Sequence, residues 1–120
     1  MELNEITEKI IGCAYTVSNV LGSGFLEKVY ENALAVELNK LGLKISQQHE
    51  IPVRYENIIV GNYVADLLVE DAVLVELKAI DGLNNAHYAQ CLNYLKATGL
   101  KTCLLLNFGK SKLGIKRFSN

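Results

Sequence analysis

Residues 63–78 read YVADLLVEDAVLVELK, and the rest of the chain is organised around how this stretch pairs with itself. Val64–Val69 and Ala72–Leu77 are apolar runs of strand length on either side of an acidic break at Glu70-Asp71, a pattern that predicts a β-hairpin. Three charges interrupt it: Asp66 in the first run, then Glu76 and Lys78 in and after the second. Charges rarely enter strands unless they are paired or bind a metal, so these are the first functional candidates. Glu76 and Lys78, two apart, share a strand face. The place of Asp66 depends on register. A two-residue turn at Glu70-Asp71 pairs Asp66 with Val75 and sends it to the face opposite Glu76. A three-residue turn at Glu70-Asp71-Ala72 pairs Asp66 with Glu76 and gathers all three charges. A functional cluster therefore requires an odd-length turn or a bulge.

Toward the N-terminus, residues 2–20 carry Ile6, Ile10, Cys13, Ala14, Val17 and Val20 or Leu21 at helical spacing, which predicts an amphipathic helix ending at Gly22. Ser23, between Gly22 and Gly24, is a candidate cap for the next helix. That helix runs from about Phe25 to Leu41, with Gly42 as its stop. Its predicted apolar stripe is Leu26, Val29, Tyr30, Ala33, Leu34, Leu38 and Leu41. At ~100° per residue, Glu27 falls on the stripe's edge and Glu37 near its middle, while Lys28, Glu31, Asn32, Ala35 and Asn39 fill the far side. First-turn placement near the helix dipole is the plain account of Glu27. Glu37 in the stripe calls for a buried cation or amide as partner. Residues 43–60 alternate loosely and predict one or two edge strands tolerant of Pro52, with Glu56-Asn57 as a turn into residues 58–60.

Beyond Lys78, residues 79–82 (AIDG) break the strand and a third helix follows, roughly Leu83 to Thr98, closed by Gly99. Leu83, His87, Gln90, Cys91, Tyr94, Leu95 and Thr98 share one face, so His87, Gln90 and Tyr94 form a polar line along a side expected to be buried. A lone histidine in such a place is more often a satisfied structural group than a ligand. Gln90 and Tyr94 are expected as a hydrogen-bonding pair. Residues 101–108 (KTCLLLNF) predict a buried strand reached by a helical crossover, and residues 114–118 (GIKRF) an edge strand. Lys110, Lys112, Lys116 and Arg117 form the chain's basic cluster, either a solvated tail or an edge that contacts phosphate.

The chain's 120 residues predict a single domain, with 50% hydrophobic and 21% charged residues, ordinary for a globular protein. No apolar run approaches the ~20 residues of a membrane span, and the acidic start MELNEITEKI is unlike a signal peptide. Cys13, Cys91 and Cys103 are odd in number and lack metal-type spacing, which fits reduced, buried thiols and a cytoplasmic location. A net charge of −1 argues against a strongly electrostatic nucleic-acid binder, but not against a protein that meets phosphates through metal ions.

Helices at both ends of a strand run imply an α/β fold, a mixed sheet flanked by helices. On that frame Asp66, Glu76 and Glu27 offer oxygen ligands of the kind Mg²⁺ takes, and Lys78 can orient a water or steady developing charge. The same charges also suit a plain ion pair between neighbouring strands.

Asp66 followed by Glu76-Leu77-Lys78 resembles the D…(D/E)xK signature of the PD-(D/E)XK nuclease superfamily. Gly24 to Tyr30, GFLEKVY, resembles the GxxExxY motif of a branch of that superfamily, and so do Tyr30–Leu34 with Glu37-Leu38, the His87…Gln90…Tyr94 helix, Leu106–Phe108 and Gly114–Arg117. The resemblance covers nearly the whole chain. It implies a restriction-endonuclease-like three-layer core (helix, helix, antiparallel strands, helix, strand) and hydrolysis of phosphodiesters in DNA or RNA with Mg²⁺ or Mn²⁺. By resemblance, Asp66, Glu76 and Glu27 hold the metal, Lys78 serves the water, and Gln90 lies near the site, with Tyr94, Tyr30, Glu37 and His87 supporting it. Ala65 stands where the superfamily's naming proline would be. The alternative is a non-catalytic module that binds nucleic acid or protein on the same fold. With no separate recognition domain in these residues, specificity would come from loops, a partner or a homodimer.

Overall fold

A computed structural model describes residues 1–120. Helices α1 (Leu3–Leu21) and α2 (Glu27–Lys40) precede strands β1 (Ile45–Tyr55), β2 (Ile58–Val69) and β3 (Val73–Lys78). Helix α3 (Asn85–Thr98) then leads to β4 (Thr102–Asn107) and β5 (Gly114–Ser119). The five strands form one sheet in the order β1-β2-β3-β4-β5. All neighbours run antiparallel except β3 and β4, which are parallel and joined through α3. This is the mixed, helix-flanked sheet expected from the sequence.

The sheet is covered on both faces, which is why β4, and β3 apart from Glu76 and Lys78, read as apolar runs. Ile10, Ala14, Leu34 and Leu38 of α1 and α2 pack on Leu67, Val75, Leu77, Leu104 and Leu106. On the other face Cys91, Tyr94 and Leu95 of α3 pack on Leu68, Leu74, Cys103 and Leu105. The alternation along β3 and β4 is the two-residue period of a strand divided between two cores. No helix is long and apolar enough to cross a membrane.

The hairpin takes the odd-length turn. Val69 pairs with Val73, leaving Glu70, Asp71 and Ala72 as the loop, with Glu70 and Asp71 both at positive φ. Within residues 43–60, Ile45–Tyr55 form one edge strand, β1, which carries Pro52, while residues 58–60 are the start of a long β2. Glu56 and Asn57 make the turn between them, both left-handed, as a tight hairpin of twisted strands requires.

Several helix details depart from the sequence expectations. Ser23 does not cap α2, whose N-cap is Leu26 without a side-chain cap bond. The Tyr30 hydroxyl holds this loop instead, donating to Gly22 O at 2.6 Å and accepting from Phe25 N–H at 3.2 Å. Its ring stacks on Phe108 at 4.8 Å. The buried face of α2 is rotated from the predicted stripe: Leu26 is 80% exposed and Leu41 is exposed, whereas Glu31 and Ala35 are buried. Glu31 is tolerated inside because Lys28, Gln47 and Gln48 all donate to it. Glu37 meets no buried partner; it pairs with Lys40 of its own helix at 2.8 Å. Helix α3 begins at Asn85, later than Leu83, because Asn84 caps it. The Asn84 side chain accepts from Ala86 and His87 N–H, and His87 Nδ1 accepts from Asn84 N–H. Gln90 and Tyr94 do not pair, since the Tyr94 hydroxyl donates to Val64 O at 2.9 Å.

The end of β3 is fixed from the neighbouring strand. Buried Asn107 accepts from Ile80 N–H at 3.1 Å and donates to Ile80 O at 3.0 Å, and Phe108 N–H donates to Lys78 O. Gly109 follows at the same contact, where a Cβ would lie 2.1 Å from Ile80 O and 2.2 Å from Ile80 N. Backbone on both sides cannot yield cheaply, so Gly109→Ala is expected to destabilise the fold by about 2–3 kcal/mol. Urea unfolding checks this; a loss under ~0.5 kcal/mol, the range of ordinary surface changes, would contradict it.

Candidate active site

Strands β2 and β3 pair at Leu67 with Val75 and closer to the loop. Continued by one residue, that register sets Asp66 opposite Glu76, and there the backbone ladder gives way to side chains. Leu77 N–H donates to Asp66 Oδ2 at 2.8 Å, and Asp66 N–H donates to Glu76 Oε1 at 3.3 Å. Each carboxylate satisfies backbone of the other's strand, so the two are locked together where the strands part. The Lys78 ammonium lies 3.7 Å from Glu76 Oε2, a loose contact that leaves its donors free.

Charge is unevenly compensated here. Glu76, 4% exposed, has its carboxyl pushed up to about 7. Burial is the main cause and the Asp66 charge adds to it; together they outweigh Lys78. Asp66 is raised mainly by burial and further by Glu31, against the Leu77 N–H and Gln48, which favour its ionised form. Glu27, first residue of α2, is raised by partial burial and by Asp66 and Glu31, and lowered by Lys78 and His87. Its solvent contact screens these effects, so its position matters more than its shift. Burial and the nearby Glu76 and Asp66 charges also raise the Tyr94 hydroxyl.

The predicted residues thus divide. Asp66, Glu76 and Lys78 come together, with Glu27 and Tyr94 within electrostatic reach. Gln90 is half-buried on α3, and His87 is engaged in the helix cap. Tyr30 supports the loop before α2, and Glu37 faces a separate groove between α1 and α2. The basic cluster is dispersed, because neighbours on a strand point to opposite faces. Arg117 reaches Thr7 and Asn4 of α1, whereas Lys116 lies over the Tyr88 ring of α3. Lys110 and Lys112 are exposed in the β4–β5 loop.

Two residues that sequence reasoning left aside join the site. Gln48 donates to Asp66 Oδ1 at 3.3 Å and to Glu31 Oε1 at 2.8 Å, and Glu31 is 3% exposed. The available signal was the position of Glu31, one helical turn after Glu27 and therefore on its side of α2.

The side chains do not present three or more acidic, histidine or cysteine ligands already converged on an ion. Mg²⁺ does not require that many, since it takes one or two carboxylates and completes its shell with waters and substrate phosphate. Asp66 and Glu76 supply hard oxygens carrying mutual repulsion that a cation would relieve, so this donor set fits such an ion.

A family model of the PD-(D/E)XK nuclease superfamily matches residues 4–118. No curated protein matches the chain. Among solved structures, the fold is similar to an alkaline exonuclease (LHK-Exo) from Laribacter hongkongensis, at 15% identity and a TM-score of 0.57, over 78% of this chain and 55% of that one. It is also similar to the protein designated SSO0001, at 17% identity and a TM-score of 0.59, over 98% of this chain and 59% of that one. The chain spans less than two thirds of the length of either.

Proposed function

The chain belongs to the PD-(D/E)XK nuclease superfamily, and from that premise we propose that it is a divalent-metal-dependent nuclease that hydrolyses phosphodiester bonds of DNA or RNA. The observation that carries this reading is the pair of crossed bonds from Leu77 N–H to the Asp66 carboxylate and from Asp66 N–H to the Glu76 carboxylate, which holds the two carboxylates together beside Lys78. Asp66 and Glu76 would hold Mg²⁺ or Mn²⁺, with Glu27 close enough to feel the charge of Asp66 and Lys78. When bound, such an ion lowers the pKa of water and neutralises charge on the phosphate. Lys78 would orient the attacking water, or steady charge developing on a phosphate oxygen, through an N–H hydrogen bond. The likeness of the fold to an alkaline exonuclease supports the reaction class. Gly24–Tyr30 supports a place in the GxxExxY branch.

Two cavities, of about 750 and 410 Å³, are lined by neither Asp66, Glu76 nor Lys78, so neither is the candidate site. The test is Mg²⁺ and Mn²⁺ calorimetry with a nuclease assay on the same samples, for wild type and Glu76→Ala. Metal binding and metal-dependent cleavage in wild type, both lost in the variant, are the expected result. Cleavage that survives Glu76→Ala would overturn the assignment of the site.

A further inference from the structure

Gln48 has a backbone conformation that its place in the fold does not call for. It lies within β1, between the pairs Gln47–Leu67 and His49–Ala65, yet its φ is +52°. The other non-glycine residues at positive φ, Glu56, Asn57, Glu70 and Asp71, are all in turns. A non-glycine residue holds this region inside a strand only where its surroundings over-determine it. Both strands lose their alternation here. On β2, Leu67 belongs to the core under α1 and α2, while Ala65, two residues away, belongs to the core under α3. On β1, Ile45 packs with the first core and Ile51 with the second. The reversal falls where Gln48 faces Asp66 in the register of the flanking pairs.

The Gln48 side chain spans two like charges there. Its Nε2 carries two N–H groups, and it contacts Glu31 Oε1 at 2.8 Å and Asp66 Oδ1 at 3.3 Å. Glu31 raises the Asp66 carboxyl, and the amide between them offsets that repulsion without adding charge. Asp66 is thereby gripped from two sides, by Gln48 on Oδ1 and Leu77 N–H on Oδ2.

We propose that Gln48, anchored on buried Glu31, is the positioning residue that aims Asp66, and that the left-handed kink of β1 exists to deliver it. The role in metal binding rests on the nuclease reading; the grip on Asp66 does not. The test uses Gln48→Ala and Gln48→Gly in the full chain. In both, hydrogen exchange at Leu77 N–H is expected to quicken about tenfold or more, with that of Leu104 in β4 unchanged, because only the carboxylate receiving the Leu77 bond is released. The glycine variant is expected to melt about 2–5 °C above the alanine variant, since glycine adopts the kink without strain. Affinity for Mg²⁺ alone is expected to fall about tenfold in both, the usual effect of losing a group that orients a ligand. Unchanged Leu77 exchange overturns the positioning role, and a glycine variant no more stable than the alanine variant overturns the strain. A wild type that neither binds metal nor cleaves counts against the nuclease reading alone, and Leu77 exchange still decides the role of Gln48.

Discussion

Lys78→Ala is expected to slow cleavage about 10²–10³-fold, the usual cost of removing one preorganised donor to developing charge, while leaving metal affinity equal to or above that of wild type. The asymmetry follows from where the ammonium sits. Its nearest acidic oxygen is Glu76 Oε2 at 3.7 Å, so it competes weakly with a cation for that carboxylate. Removing it takes positive charge away from the ligands and positive charge away from the reacting phosphate, with opposite consequences. The backbone of Lys78 is fixed by the bond from Phe108 N–H to its carbonyl, so the substitution should not move β3. The loss should appear in kcat more than in KM, because the interaction strengthens as charge develops. Steady-state kinetics on a labelled oligonucleotide, with calorimetry of Mg²⁺, separate the two quantities. A variant within tenfold of wild type in kcat would remove Lys78 from the reaction.

The second large effect is a pH dependence of stability with a sign unusual for a carboxylate. The Glu76 carboxyl, ordinarily at 4.5, is pushed up to about 7, chiefly by burial. Below pH ~4.5 it is protonated in both folded and unfolded chains, and its contribution to stability is fully present. Between there and pH ~7 the unfolded chain ionises while the folded one does not, so the contribution is lost as pH rises through the folded value. The full loss is about 3 kcal/mol, and the raised Asp66 carboxyl adds to it in the same direction. The metal-free protein should therefore lose stability between pH 5 and pH 8, and Glu76→Gln should remove most of that slope. At pH 8 the variant should be more stable than wild type by up to ~3 kcal/mol, while it cleaves nothing. Mg²⁺ should restore wild-type stability at pH 8 and do little at pH 5, where the proton competes with it. Chemical unfolding at both pH values, with and without Mg²⁺, gives four measurements. Equal slopes for wild type and Glu76→Gln would mean that Glu76 is not the titrating group. A site more stable without its charge has a stability cost that only function explains.

The elements of the fold follow from local pattern. The apolar periods of residues 2–20 and 83–98, and the glycines at Gly22, Gly42 and Gly99, mark where helices lie and stop, because helical spacing and left-handed termination are properties of neighbouring residues. The apolar character of β4, and of β3 but for Glu76 and Lys78, likewise announces a sheet covered on both faces. The identities of Asp66, Glu76 and Lys78 as candidates were equally legible, since charges inside such strands stand out against burial.

What the sequence left open was everything that depends on a partner far along the chain. The turn could hold two residues or three, and only pairing of Val69 with Val73 chose the three that bring Asp66 to Glu76. Glu31 lies on the buried side of α2 despite its charge because the amides of Gln47 and Gln48, which hydrophobicity cannot register, make a buried carboxylate tolerable. The basic cluster near the C-terminus separated because adjacent strand residues face opposite layers, one meeting α1 and the other α3. The left-handed conformation of Gln48 has no local sequence cause; β1 takes it where it passes Asp66 and Glu31. Local periodicity therefore determined which elements exist, and long-range pairing decided which charges meet, because register and the partners of buried polar groups are set only when distant segments come together.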